Sequence, residues 1–256
     1  MSFVKKARYG DGYIWKCPNK QCNKEVSIRK GTFFEGSHLS IATIIRFTYY
    51  WAYEMDSTAT LQRELRIAND ATVDWKNFLR DICAQFYEHH PRQIGGMNKT
   101  VEIDECMLVR RKYHVGHTVN RQWVFGGYEI NSRKVFLQAV PNRTADTLLQ
   151  AIVTNIAPGS TIVSDCWASY GGIGTLQQQY QHLTVNHENH FVDPITFSTT
   201  NHIESVWQKL KSAHKKHYGT HRTLLDSYLA EFVWRYEFGS NPYSNIIKHI
   251  KIIYPQ

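Results

Sequence analysis

The segment Thr100-Val101-Glu102-Ile103-Asp104-Glu105-Cys106-Met107-Leu108-Val109-Arg110 constrains the fold more than any other part of the chain. Val101 and Ile103 alternate with Glu102 and Asp104, the two-residue period of a strand with unlike faces. Carboxylates are depleted in strands, so two of them on one face call for a reason. The next segments extend a sheet. Gln122–Ile130 and Lys134–Val140 flank Asn131-Ser132-Arg133 as a hairpin. Thr144–Ile156 reads as a helix capped by Thr144 and stopped by Pro158-Gly159. Thr161–Ser164 is a short apolar strand ending at Asp165, and His182–Val185 is another strand. Asn201 to about Lys215 and Thr223–Phe238 read as helices. Residues 97–256 therefore suit an α/β sheet domain.

Ahead of the linker Pro91–Asn98 the pattern is helical. Ser40–Tyr53 is apolar on most sides, as a buried helix is, and Ser57–Ile67 is amphipathic. A third helix, capped by Asn69 or Asp70, runs to about His89 with Trp75, Phe78, Leu79, Ile82 and Phe86 as its core stripe. The turn Ala68-Asn69-Asp70 makes this pair similar to a helix-turn-helix, whose second helix would present Thr72, Asp74, Lys76 and Asn77 to a major groove. An ordinary helical hairpin without DNA contact has the same pattern. Residues 37–96 form this helical segment, and residues 1–36 read as short strands and turns.

The chain has 256 residues, 30 Lys+Arg against 22 Asp+Glu, and a net charge of +8. Residues 1–34 supply most of the excess, with Lys5, Lys6, Arg8, Lys16, Lys20, Lys24, Arg29 and Lys30 against Asp11 and Glu25. A basic arm ahead of a nearly balanced body points to a polyanionic partner, nucleic acid first. A hydrophobic content of 42% excludes a wholly disordered chain. No run of 18 apolar residues suggests a membrane helix, and the first residues lack the apolar stretch of a secretory signal. Cys17, Cys22, Cys83, Cys106 and Cys166 are odd in number and scattered, which fits a reducing compartment. Cys17 and Cys22 have knuckle-like spacing, but structural Zn2+ needs four ligands and only His38 lies near, so zinc is not expected.

Hard divalent ions take carboxylate oxygens, and a pair of them can activate a hydroxyl and stabilise a leaving oxygen at phosphorus. Asp104 and Asp165 are acids placed in or at the end of strands. On the helix from Asn201, the residues Asn201, Glu204, Gln208 and Lys211 share one polar face beside a buried stripe of Ile203, Val206, Trp207 and Leu210. A solvated helix face has the same spacing.

The motifs Val101-Glu102-Ile103-Asp104-Glu105, Arg111-Lys112-Tyr113-His114, Gln122-Trp123-Val124-Phe125-Gly126-Gly127 and Val140-Pro141-Asn142-Arg143-Thr144 occur in that order. Pro158-Gly159-Ser160-Thr161-Ile162, Ser164-Asp165-Cys166-Trp167, Leu183-Thr184-Val185-Asn186-His187, Phe191-Val192-Asp193-Pro194, Asn201-His202-Ile203-Glu204-Ser205-Val206-Trp207 and Ser227-Tyr228-Leu229-Ala230-Glu231-Phe232 follow. Together they make the chain resemble Merlin-type DDE transposases, which are related to bacterial insertion-sequence transposases. The resemblance implies an RNase H-like catalytic domain over residues 97–256, with Asp104, Asp165 and Glu204 as the catalytic triad holding two Mg2+ or Mn2+ ions. Some bacterial relatives carry Asn at the third position, which would match Asn201, so Asn201 is taken to assist. Lys211 matches a basic residue that contacts phosphate. Lys5, Lys6 and Arg8 of the arm, Lys76 and Asn77 of the helical segment, and Arg111 and Lys112 are the further DNA-contact candidates. Relatives often carry a zinc ribbon with two Cys pairs; only the second pair is matched here, so residues 1–36 form a truncated ribbon.

The resemblance implies a DNA transposase that binds terminal inverted repeats, cleaves, and joins 3′-OH ends to target DNA, acting as a homodimer or larger assembly. A domesticated DNA-binding regulator that does not cut and a structure-specific nuclease are the alternatives. The location would be the nucleus in a eukaryote and the cytoplasm, at the nucleoid, in a bacterium. Glu102 is read as a supporting or alternative ligand, His187 as structural, Trp167 and Tyr170 as core, and Cys166 as a small packing residue. Arg110, Arg111, Lys112, His114 and His117 read as a basic loop.

Overall fold

The computed structural model describes residues 1–109, 122–186, 199–216 and 222–255. They fall into two compact units, residues 1–86 with 240–256, and residues 87–239.

In the first unit β1 (Ser2–Lys5), β2 (Tyr13–Lys16) and β3 (Glu25–Ser27) form an antiparallel sheet. Its charges pair internally. Glu25 meets Lys6 and also accepts from Arg8 at 2.8 Å and Tyr9 at 2.9 Å. Arg29 donates to both oxygens of Asp11. α1 (Ile41–Ala52) and α2 (Thr58–Leu65) begin where Ser40 and Ser57 accept the N–H of Thr43 and Thr60 at 3.0 and 3.1 Å. α2 ends at Arg66, in the left-handed region with φ 53°. On α3 (Asn69–His89) Trp75, Leu79 and Ile82 are buried as the periodicity predicts. Phe78 is instead 47% exposed: it falls at the edge of the stripe, edge-on to Trp75. A C-terminal helix, Pro242–Ile253, which the sequence reading did not identify, packs on α1 through Tyr243 and Tyr49 and stacks His249 on Phe86 at 3.9 Å.

The second unit runs β4 (Ile94–Gly95), β5 (Thr100–Val109), β6 (Gln122–Glu129), β7 (Val135–Val140), α4 (Ala145–Asn155), β8 (Ile156–Ala157), β9 (Thr161–Asp165), β10 (Gln181–Val185), α5 (Asn201–Lys216) and α6 (Leu225–Phe238). β4 and β8 form a small parallel pair. The main sheet has the order β10-β9-β5-β6-β7. β6 is antiparallel to both neighbours, and β9 and β10 run parallel to β5. This mixed α/β sheet, with one reversed strand, is the RNase H-like arrangement.

Both faces of the sheet are covered. Val101, Ile103, Phe125 and Ile162 pack with Leu148 and Ile152 of α4. Cys106, Val124, Tyr128 and Val135 pack with Ile203, Val206, Trp207 and Leu210 of α5 and Leu225 and Leu229 of α6. The polar face of β5 therefore lies under a helix, and Glu102 is wholly buried. Thr144 precedes α4 without a side-chain cap bond. Asn142 Oδ1 instead accepts the Thr144 N–H at 3.1 Å and the hydroxyls of Thr144 and Thr147.

Candidate active site

β5 and β9 pair in parallel from Thr100↔Thr161 to Glu102↔Val163. Asp104, midway along β5, and Asp165, the last residue of β9, each lie two residues further along, so parallel pairing brings both acids level with each other on adjacent strands. Ligands in open α/β sheets gather at the carboxyl ends of strands, where Asp165 closes β9. Asp104 shares the face of Glu102, toward α5. Its Oδ1 accepts the Glu105 N–H at 2.7 Å, and its Oδ2 accepts the indole N–H of Trp207 at 2.9 Å. Asp165 Oδ1 accepts the Trp167 N–H at 2.9 Å.

The Trp207 contact depends on a glycine. Asp104 pairs with Gly126 of β6. A Cβ at Gly126 would stand 2.7 Å from the far edge of the Trp207 ring and 2.7 Å from Leu137. The bare backbone lets the indole lie against the sheet and reach the carboxylate.

Burial pushes Asp104 up to about 7, and the charges of Glu105 and Asp165 push it in the same direction against the two hydrogen bonds. A carboxylate placed where its charge is costly, beside two other carboxylates, suits a hard cation. Asp104 and Asp165 offer the oxygen donors that Mg2+ or Mn2+ prefers, so these two residues fit such an ion.

Glu204 sits in the first turn of α5, exposed, one turn before Trp207. Its Oε1 accepts from the Thr200 hydroxyl at 3.3 Å. Asn201 and Lys211 are exposed on the same helix, and the Lys211 ammonium meets the Cys106 thiol. Among the described residues, no three His, Cys, Asp or Glu side chains stand together as a ready metal cluster. The structure thus brings Asp104 and Asp165 together and leaves Glu204 outside such a cluster.

On the opposite face of β5 lies a cluster that the sequence reading did not assemble. Glu105 is 4% exposed. It accepts from the Tyr170 hydroxyl and, at 3.0 Å, from Arg143. The Arg143 guanidinium lies 4.1 Å from the Trp123 ring centre and 4.6 Å from that of Trp167. Tyr170 is buried as expected, but Trp167 is 41% exposed, with Arg143 over its ring rather than a core around it. Cys166 is exposed as well, its thiol directed at the Val185 carbonyl 3.7 Å away. All of these residues except Tyr170 stand in the quoted motifs, but motif order does not show which of them meet in space.

Of the remaining DNA-contact candidates, Lys5, Lys6, Arg8, Lys76 and Asn77 belong to the first unit. Lys5 is exposed. Lys6 and Arg8 pair with Glu25, Lys76 with Asp56 at 2.9 Å, and Asn77 with Arg80. Arg111 and Lys112, with the rest of the basic loop, and His187 lie outside the described residues.

Residues 94–237 match the family model of the ISXO2-like transposase domain. No curated protein matches the chain. Among solved structures the chain is similar to the catalytic core domain of BIV integrase, at 15% identity over 60% of this chain and 97% of that one, with a TM-score of 0.38. The catalytic core of HTLV-2 integrase in complex with magnesium, in a dimeric form, gives 14% identity over 56% and 88%, with a TM-score of 0.35. A simian T-cell lymphotropic virus intasome in complex with PP2A regulatory subunit B56 gamma gives 15% over 73% and 67%, with a TM-score of 0.37.

Proposed function

Because the chain belongs to the ISXO2-like transposase family, we propose that it binds transposon terminal inverted repeats, hydrolyses a phosphodiester bond to free a 3′-OH, and joins that end to target DNA. The observation that carries this reading is that parallel pairing brings Asp104 and Asp165 level with each other on two neighbouring strands, where β9 ends. Asp104, Asp165 and Glu204 would hold two divalent ions, Mg2+ or Mn2+, with Asn201 assisting. Such ions, when bound, supply a hydroxyl of lowered pKa and charge stabilisation for the leaving oxygen.

The chain's own residues do the rest. Trp207 and the Glu105 N–H hold the Asp104 carboxylate in one orientation, and the Trp167 N–H does so for Asp165. Lys211, two turns along α5 from Glu204, would contact a phosphate oxygen. The exposed Lys5 and the helical segment around α3 would add salt-dependent affinity for the DNA backbone. Two ends must meet for joining, so a homodimer or larger assembly is the working state.

A strand-transfer assay with element-end duplexes and Mg2+ or Mn2+ tests this. Joined product supports the transposase. Cleavage without joining would favour a structure-specific nuclease, and binding without cleavage a domesticated regulator.

A further inference from the structure

Glu102 is a fully buried carboxylate that the proposed chemistry leaves without a task. Its partners all lie in the first turn of α5, 100 and 101 residues away in sequence. Oε2 accepts the backbone N–H of His202 at 2.9 Å and of Ile203 at 3.0 Å, and Oε1 lies 2.6 Å from His202 Nδ1. The His202 ring is stacked on Tyr128, the residue paired with Glu102 across β5 and β6.

The first N–H groups of a helix have no intrahelical partner and are ordinarily capped by a residue just before it. Here Thr199 Oγ1 accepts from Asn201 N–H at 3.1 Å, and Glu204 N–H already bonds the Thr200 carbonyl. His202 and Ile203 are satisfied from β5, by the residue two places before Asp104. The cap therefore fastens one element of the site to another.

We propose that Glu102 is a positioning residue for the third metal-binding position: it ties the first turn of α5 to β5 and so fixes Glu204 relative to Asp104. This rests on the transposase reading above. The role needs acceptor oxygens, not negative charge. Gln at 102 keeps an oxygen for both backbone N–H groups and can place its amide N–H against His202 Nδ1. Met has similar length and no comparable acceptor.

The test compares wild type, Glu102→Gln and Glu102→Met in the full chain by four measurements: thermal melting, hydrogen exchange at the His202 and Ile203 amides, Mn2+ binding without DNA, and cleavage of element ends. Glu102→Met should lose exchange protection in the first turn of α5 and bind Mn2+ at least about 10-fold more weakly, with cleavage falling by about 10–100-fold. Glu102→Gln should keep protection and stay within about 3-fold of wild type in Mn2+ affinity and cleavage, since it retains the hydrogen bonds. A Gln variant that keeps protection but is as impaired as Met would overturn the proposal, because charge would then be the requirement. So would a folded Met variant that loses protection and still binds Mn2+ and cuts as wild type does. If Met shows no cooperative melt, the Gln variant alone decides: protection kept with Mn2+ affinity and cleavage lowered at least about 10-fold would overturn the proposal. A wild-type chain that binds Mn2+ but never cuts would defeat the transposase reading, while exchange and Mn2+ affinity would still decide the role of Glu102.

Discussion

Two regions of this chain carry clustered charge and handle it in opposite ways. In the N-terminal sheet each acid is matched. Hydrogen bonds from Lys6 and Tyr9, with Arg8 beside them, hold Glu25 down to about 2, and Arg29 lowers Asp11. Where the middle of β5 meets the end of β9, acids meet acids, and burial with like charges raises Asp104 to about 7. The first region uses charge to close itself. The second holds Asp104 where burial and neighbouring carboxylates disfavour its charge, as an ion-binding site does.

The comparison breaks most clearly on activity. Asp104→Ala or Asp165→Ala should cut cleavage at least about 100-fold, beyond the usual cost of disturbing groups that merely support a metal ligand, with end-DNA binding retained in a gel-shift assay. If either variant cuts normally, the pair of acids on β5 and β9 is not the site. At the third position Glu204→Gln should be impaired far more than Asn201→Ala; full activity in Glu204→Gln would transfer the role to Asn201.

The same acid-to-amide change should have opposite effects on stability in the two regions. Asp104 has a folded pKa of about 7 against an ordinary 3.8. Its charge therefore costs stability progressively as pH rises between those values. In protein stripped of divalent ions, Asp104→Asn should be more stable than wild type at pH 8, by up to about 4 kcal/mol, with the gain vanishing below about pH 4. Urea unfolding at several pH values reads this, and equal stability at pH 8 would show that Asp104 is not strained. Gly126→Ala forces the Trp207 ring or Leu137 to move and should cost about 1–3 kcal/mol in the same assay. The smallest effect belongs to Glu25. Its folded pKa lies near 2 against 4.5, so its contribution is full above pH 4.5 and is lost as pH falls toward 2. Glu25→Gln should lower the melting temperature slightly at pH 6 and leave it unchanged at pH 2.

Much of this was legible locally. Ser40 and Ser57 announce α1 and α2 because a hydroxyl before an apolar run is the chemistry of a helix start. The alternation around Ile103 gives β5, and an acid inside one strand and an acid at the end of another give Asp104 and Asp165. Coverage was not legible. A period of two shows which residues share a face, and not whether a helix lies over it, so Glu102 read as a possible ligand although it caps α5. The Glu105–Arg143–Trp167 cluster joins three motifs through contacts that depend on how the strands are ordered. Pro242–Ile253 was passed over because its partners, α1 and α3, are remote in sequence.

Gly126 carries a consequence for how this sequence can drift. Glycine has no smaller replacement, so every substitution there adds at least one carbon where the indole of Trp207 already lies. Most positions in a sheet have neighbours in sequence space that differ by a methyl group and are nearly silent. Position 126 has none: a chain that left glycine would have to shift Trp207 or Leu137, and a shifted indole loosens the donor that holds Asp104.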